Sequence, residues 1–147
     1  MTEIQQFYNN QGKPYSVDSI IYQWSNDEWE EKHHFIQWVF PTNKRSMYHP
    51  NSPILTAEDA EYIGTEKYVL FDKAVQRFKC FLREEQYLTY QNHNWLRVTR
   101  CLESMRLVGA PDDLVNDFWT FINRYQPYIS PTTRDFWEQA VKTPKLY

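Results

Sequence analysis

The sequence predicts an all-α fold: a single compact domain over residues 1–147, with about six or seven helices around an aromatic-rich core. Three observations predict it. Apolar residues recur at spacings of three and four in several segments, the period of one buried helix face. Only three glycines are present, too few for a hairpin-rich β architecture. Six Trp, eleven Tyr and nine Phe are present, and each buried ring removes about 150–250 Å² from water. Rings can therefore fill a core that aliphatic side chains fill elsewhere. The low mean hydropathy of -0.75 is compatible with this, because Tyr and Trp score as polar.

Taken in order, residues 1–17 read as a polar, turn-rich lead-in containing Asn9-Asn10-Gln11-Gly12-Lys13-Pro14. Ser16-Val17-Asp18 is placed to cap a short helix through Trp24. Asn26 is a suitable cap for the next helix, with Asp27 and Glu28 near its positive dipole end. That helix is expected to reach Val39 and stop at Phe40-Pro41, since proline disfavours helix at the residue before it. Pro41–Pro53 reads as an ordered loop.

Thr56-Ala57-Glu58-Asp59 resembles a capping box and opens a short helix to about Ile63, with Gly64-Thr65 as a separator. The longest periodic segment follows, with Phe71, Ala74, Val75, Phe78, Phe81 and Leu82 on one face. Gln91-Asn92 breaks the run. A helix from about His93 to Val108 carries Trp95, Val98, Leu102 and Met105 and ends at Gly109. Pro111-Asp112-Asp113 opens another, with Leu114, Phe118, Phe121, Ile122 and Tyr125 as its stripe and Pro127 as its stop. Ser130-Pro131 opens a final short helix, and Lys142–Tyr147 is expected to be less ordered.

A net charge of -3 supplies no bulk drive toward nucleic acid or anionic membrane. The first residues lack the basic start and apolar run of a signal peptide. No apolar stretch approaches the roughly 20 residues of a membrane span. Cys80 and Cys101 lack paired spacing and read as free thiols in a reducing compartment, so a cytoplasmic or nuclear location is expected.

Two segments carry a resemblance beyond periodicity. His33-His34-Phe35-Ile36-Gln37-Trp38-Val39-Phe40-Pro41 is similar to the "H-x-[FY]-I-Q-W-L-F-P" string of the opioid growth factor receptor conserved-region family. His93-Asn94-Trp95-Leu96-Arg97-Val98-Thr99-Arg100 resembles its "H-N-x-L-R-I-T-R" motif. The resemblance is strongest over residues 26–121, departing at Val39 and Val98. The animal member is described as a nuclear-associated receptor for an enkephalin peptide. The resemblance implies a stand-alone copy of the shared domain. It transfers no catalytic residue, and a shared fold does not transfer peptide-receptor activity.

The polar letters of these strings are the candidate site. Glu30, His33 and Gln37 are spaced to share one helix stripe, and Asn94, Arg97 and Arg100 line another. Facing one another, they would form a site for a peptide, protein or anionic ligand. Arg97 and Arg100 would grip a carboxylate or phosphate, while Gln37 and Asn94 supply directional hydrogen bonds. Free N–H groups near Asn92–Asn94 would assist. The competing expectation is internal pairing of Glu30 or Gln37 with Arg97 or Arg100 in a buried network.

Glu30-x-x-His33 and Glu31-x-x-His34 each match only half of a di-iron helix motif, so no metal or other cofactor is expected. His93 reads as a cap and His49 as a loop residue. Nucleophile elbow, Walker A and dinucleotide loop are all absent from the sequence. An enzyme is therefore the disfavoured alternative. Nucleic-acid binding through Lys44, Arg45, Arg97, Arg100 and Arg106 is disfavoured too, because Glu30, Glu31 and Glu103 dilute the patch. Oligomeric state is not legible.

Overall fold

The computed structural model describes residues 1–12, 15–46, 50–86 and 93–147. The Gln91-Asn92 break, Asn92 as a donor site, His49, and Lys13-Pro14 of the lead-in lie outside them. Within the described residues every regular element is helical. The α-helices are α1 (Glu3–Tyr8), α2 (Asn26–Glu31), α3 (Ile36–Val39), α4 (Ala57–Thr65), α5 (Tyr68–Glu84), α6 (Asn94–Leu107), α7 (Asp112–Asn123) and α8 (Pro131–Ala140). A π-helical turn covers Ser19–Gln23 and a 3-10 turn covers Gln126–Tyr128.

The count exceeds six or seven for two physical reasons. The polar lead-in folds as α1, because Thr2 caps it and Ile4, Phe7 and Tyr8 are buried. Asp59, buried in α4, accepts from Thr2 Oγ1 at 2.7 Å and Gln5 Nε2 at 3.1 Å, tying α1 to α4. Secondly, the helix expected from Asn26 to Val39 is two helices. Ser25, rather than Asn26, caps α2, in a reciprocal capping box with Glu28. α2 then stops at Lys32, whose ψ of 131° is extended.

Rings organise the centre. Trp29 is fully buried and its Nε1 donates to Ile20 O at 3.0 Å. It lies 4.9 Å from Phe35 and stacks 6.0 Å from Phe78. Phe78 continues the series to Phe118 at 6.1 Å. All six apolar positions predicted for α5 are buried. On the far side, α8 packs along α6, with Trp137 Nε1 donating to Trp95 O at 3.2 Å.

Two glycines act by conformation or close approach. Gly109 has φ +73°, and Gly109 N and Ala110 N donate to Arg106 O and Met105 O, a Schellman close to α6. Gly64 lies inside α4 rather than after it. A Cβ there would fall 2.0 Å from Val108 O. The tail expected to be less ordered docks at the same place: Leu146 N donates to Leu107 O at 3.0 Å and Tyr147 Oη to Val108 O at 3.0 Å. No described helix is long and apolar enough to cross a membrane.

Candidate functional site

α6 meets the break between α2 and α3 along the face that carries Asn94, Arg97 and Arg100. Arg97 is only 5% exposed. Its Nη1 donates to Trp29 O at 2.6 Å and to Asn94 Oδ1 at 3.2 Å. Its Nη2 donates to Lys32 O at 2.8 Å, and the guanidinium lies 5.3 Å from the Phe35 ring centroid. In an uninterrupted helix those two carbonyls would accept from the N–H groups of His33 and Ile36. Arg97 thus replaces the hydrogen bonds that the chain gives up when it bends.

Gln37 does similar work from the other side. It is buried, and with its amide nitrogen turned toward the chain it donates to His34 O at 3.1 Å and His33 O at 3.2 Å. Glu30 pairs with neither arginine among the described residues. Its carboxylate accepts from Asn94 Nδ2 at 3.0 Å and from His93 Nε2 at 2.8 Å. The His33 ring meets His93 edge-on at 5.6 Å.

The six expected residues are brought near one another, though not as two uninterrupted stripes, and Glu30 and the fully buried Asn94, which hold each other, do not line the groove described below. The bend, rather than helical spacing, brings Glu30, His33 and Gln37 to α6. His93 joins them by a side-chain contact to Glu30, whereas the sequence reading made it a helix cap. Its ring caps nothing. A histidine at a helix start carries no sequence signal for a partner 63 positions away.

A groove of about 470 Å³ opens over this cluster. His33, His93, Gln37, Arg97 and Arg100 contribute its polar wall, while Ile36 and Leu96 give it an apolar side. A smaller hollow of about 200 Å³ shares Ser46, Leu96 and Arg100 with it and leads toward Lys44 and Arg45. Ser46 and Leu96 were not among the expected site residues. Leu96 is 58% exposed despite its apolar side chain, a feature invisible before burial is known.

Arg100 differs from Arg97. Its Nε and Nη2 are sealed from solvent and have no hydrogen-bond partner among the described residues. Burial pushes its guanidinium down to about 10, with Glu103 opposing that shift only in part. Unpartnered buried donors on a cation are costly, so an anion reaching this wall would gain what the fold leaves unsatisfied. His93 is pulled below its ordinary value by burial, aided by Arg97 and His33 and opposed by Glu30. At neutral pH it is an uncharged imidazole whose Nε2–H faces Glu30.

No group of three or more His, Cys, Asp or Glu among the described residues could hold a metal ion. Glu30, the acid of one half-motif, is engaged by His93 and Asn94. Cys101 is buried, and burial holds its thiol well above the usual range, which keeps it from acting as a nucleophile. What the cluster can do is hold negative charge beside an apolar surface.

A helical domain with a cationic groove between a helix break and a neighbouring helix is the class defined by fold and site. Comparison with known proteins adds a distant relationship. The chain is 27% identical over 114 residues to opioid growth factor receptor-like protein 1 of Mus musculus, covering 63% of this chain and 25% of that protein. The same protein of Rattus norvegicus gives the same identity, with 24% of its length covered. The chain thus spans about a quarter of the length of the curated relatives it matches. No family model matches the chain, and no solved structure matches it.

Proposed function

We propose that the chain is a non-enzymatic recognition domain that holds an anionic group, such as a carboxylate of a peptide or protein, in the groove over α6. Arg100 is the gripping residue, and the observation that carries the reading is that it lines the groove while its Nε and Nη2 have no hydrogen-bond partner among the described residues; an anion reaches those two donors by displacing the side chains that cover them. The distant relationship to opioid growth factor receptor-like proteins supports a recognition role without naming a ligand. Arg97 and Gln37 position the site by holding the bend. His33 stands in the polar wall, while His93 is already committed to Glu30, and Ile36 and Leu96 offer apolar contact to the body of the ligand.

The test is titration with short peptides bearing a free C-terminal carboxylate, set against their amidated counterparts. Binding that needs the carboxylate, and falls at least about tenfold in Arg100→Gln while the variant stays folded, supports the reading. Equal binding of amidated peptides, or an unchanged affinity in Arg100→Gln, overturns it. A single-stranded oligonucleotide that binds more tightly, with steep loss on added salt, would assign the same face to nucleic acid instead.

A further inference from the structure

Three prolines of the chain follow a hydroxyl-bearing residue, in Ser52-Pro53, Ser130-Pro131 and Thr143-Pro144. The fold treats the three hydroxyls differently. Ser130 caps α8, where its Oγ accepts from Thr133 N at 3.2 Å and donates to Thr133 Oγ1 at 3.0 Å. Ser52 Oγ is sealed from solvent. Thr143 lies just beyond α8 and is half-buried, and its backbone N donates to Ala140 O at 3.1 Å. Its hydroxyl makes no hydrogen bond among the described residues.

Thr143 lines a pocket of about 540 Å³ whose charged lining is wholly cationic: Arg106 from α6, with Lys142 and Lys145 on either side of the Thr-Pro pair. Every lining residue and its chain neighbours are among the described residues. Cations beside helix C-termini ordinarily serve the open carbonyls there. Arg106 does so, its Nε donating to Val141 O at 2.7 Å while its Nη1 pairs with Asp112 at 3.0 Å. Lys142 and Lys145 do not. Neither ammonium donates to a carbonyl or pairs with a carboxylate among the described residues, and Lys145 lies instead 4.2 Å from the Tyr147 ring. Two uncommitted ammonium groups therefore flank an open hydroxyl.

We propose that Thr143 is a phosphorylation site for a proline-directed protein kinase, and that Lys142, Lys145 and Arg106 receive the phosphate. The γ-phosphoryl group of ATP passes to Thr143 Oγ1, the hydroxyl proton goes to the kinase's catalytic base, and ADP leaves. The kinase reads the following residue, and Pro144 offers it a fixed φ and no N–H. Beyond Pro144 the chain is irregular, and Leu146 N to Leu107 O and Tyr147 Oη to Val108 O hold it to the end of α6. Few bonds therefore have to open for the segment to enter a kinase cleft extended. The phosphate carries about −1.5 to −2 charges and three acceptor oxygens. A helix C-terminus alone would repel it, and the three cations reverse that balance. Its capture clamps the tail over Gly109 and Ala110 of the same lining. This site shares no residue with the groove over α6.

The experiment is transfer from ATP to the folded chain by a purified proline-directed kinase, read by intact mass and fragment mapping. One phosphate should be gained at Thr143 and none at Ser52 or Ser130. Thr143→Val should gain none, and Pro144→Ala should slow transfer about tenfold or more. Capture is read by phosphorus NMR. The second ionisation of the phosphothreonine should fall below its ordinary value of about 6 and return toward it when Lys142 and Lys145 are both replaced by glutamine. Hydrogen exchange at Leu146 should slow on phosphorylation. A folded chain that the kinase leaves unmodified at Thr143, while the urea-unfolded chain diluted into the same kinase is modified, overturns the site. Transfer that persists in Thr143→Val overturns it too. A phosphate that titrates at its ordinary value, indifferent to the two lysine replacements, overturns the capture.

Discussion

At the residue scale, two arginines three positions apart in one sequence string have opposite circumstances. Arg97 spends its donors on Trp29 O and Lys32 O, so it belongs to the fold. Replacing it with alanine leaves the buried Trp29 carbonyl and the part-buried Lys32 carbonyl without these donors and removes a ring contact, a loss of about 3 kcal/mol. Arg97→Lys should recover little, because an ammonium is a compact donor and the guanidinium spans both carbonyls as a planar fork. Urea denaturation of both variants checks this: a midpoint near wild type for Arg97→Ala would remove the structural role. Arg100→Gln should behave differently, with stability held or raised and anion binding lost, because it removes a partly buried cation whose Nε and Nη2 have no acceptor among the described residues. The sequence made both arginines candidates and could not rank them. Spacing placed them on one face of α6, but which carbonyls they meet depends on a bend in a segment 60 or more positions earlier.

At the element scale, helix periodicity was legible wherever one face is buried. The stripes of α5, α6 and α7 lie in the core at nearly every position expected of them. What failed was continuity. Residues 26–39 have no proline or glycine to announce a break, and their apolar residues suit either one helix or two. Only the arrival of Arg97 and Gln37 at the open carbonyls makes the interruption affordable in hydrogen bonds. Gly64 misled in the opposite sense, since a glycine near a helix end reads as a stop when its work is close approach to α6. Gly64→Ala should therefore cost more than an ordinary helical Gly→Ala, which gains about 1 kcal/mol. The contact at 2.0 Å involves backbone and cannot be relieved by a rotamer change. Gly109→Ala, with φ +73°, should cost about 1–2 kcal/mol through strain alone. Thermal melts of the two variants test both, and a stabilised Gly64→Ala would contradict the close packing of α4 on Val108.

At the scale of the whole molecule, the bend between α2 and α3 is the seam where the aromatic centre and the cationic groove share residues. Trp29 and Phe35 belong to the core, Arg97 joins their chain to α6, and His33 and His93 sit on the groove side of the same junction. Stability and ligand binding should consequently respond to pH together. His93 in the folded protein binds its proton below 6.5, chiefly through burial, whereas in the unfolded chain it titrates near its ordinary value. As pH falls below 6.5, the unfolded state takes up the proton first, so stability is present above that pH and declines as pH drops through the folded value. Denaturation midpoints measured down this window should fall in the wild type and flatten in His93→Gln, whose amide can still donate to Glu30. A bound anion in the groove reverses the balance, because negative charge beside His93 favours its protonated form. With a carboxylate-bearing peptide present at saturation the acid-side loss should shrink, and affinity should rise as pH falls. An acid-side decline identical with and without the peptide would separate His93 from the groove and place the anion elsewhere.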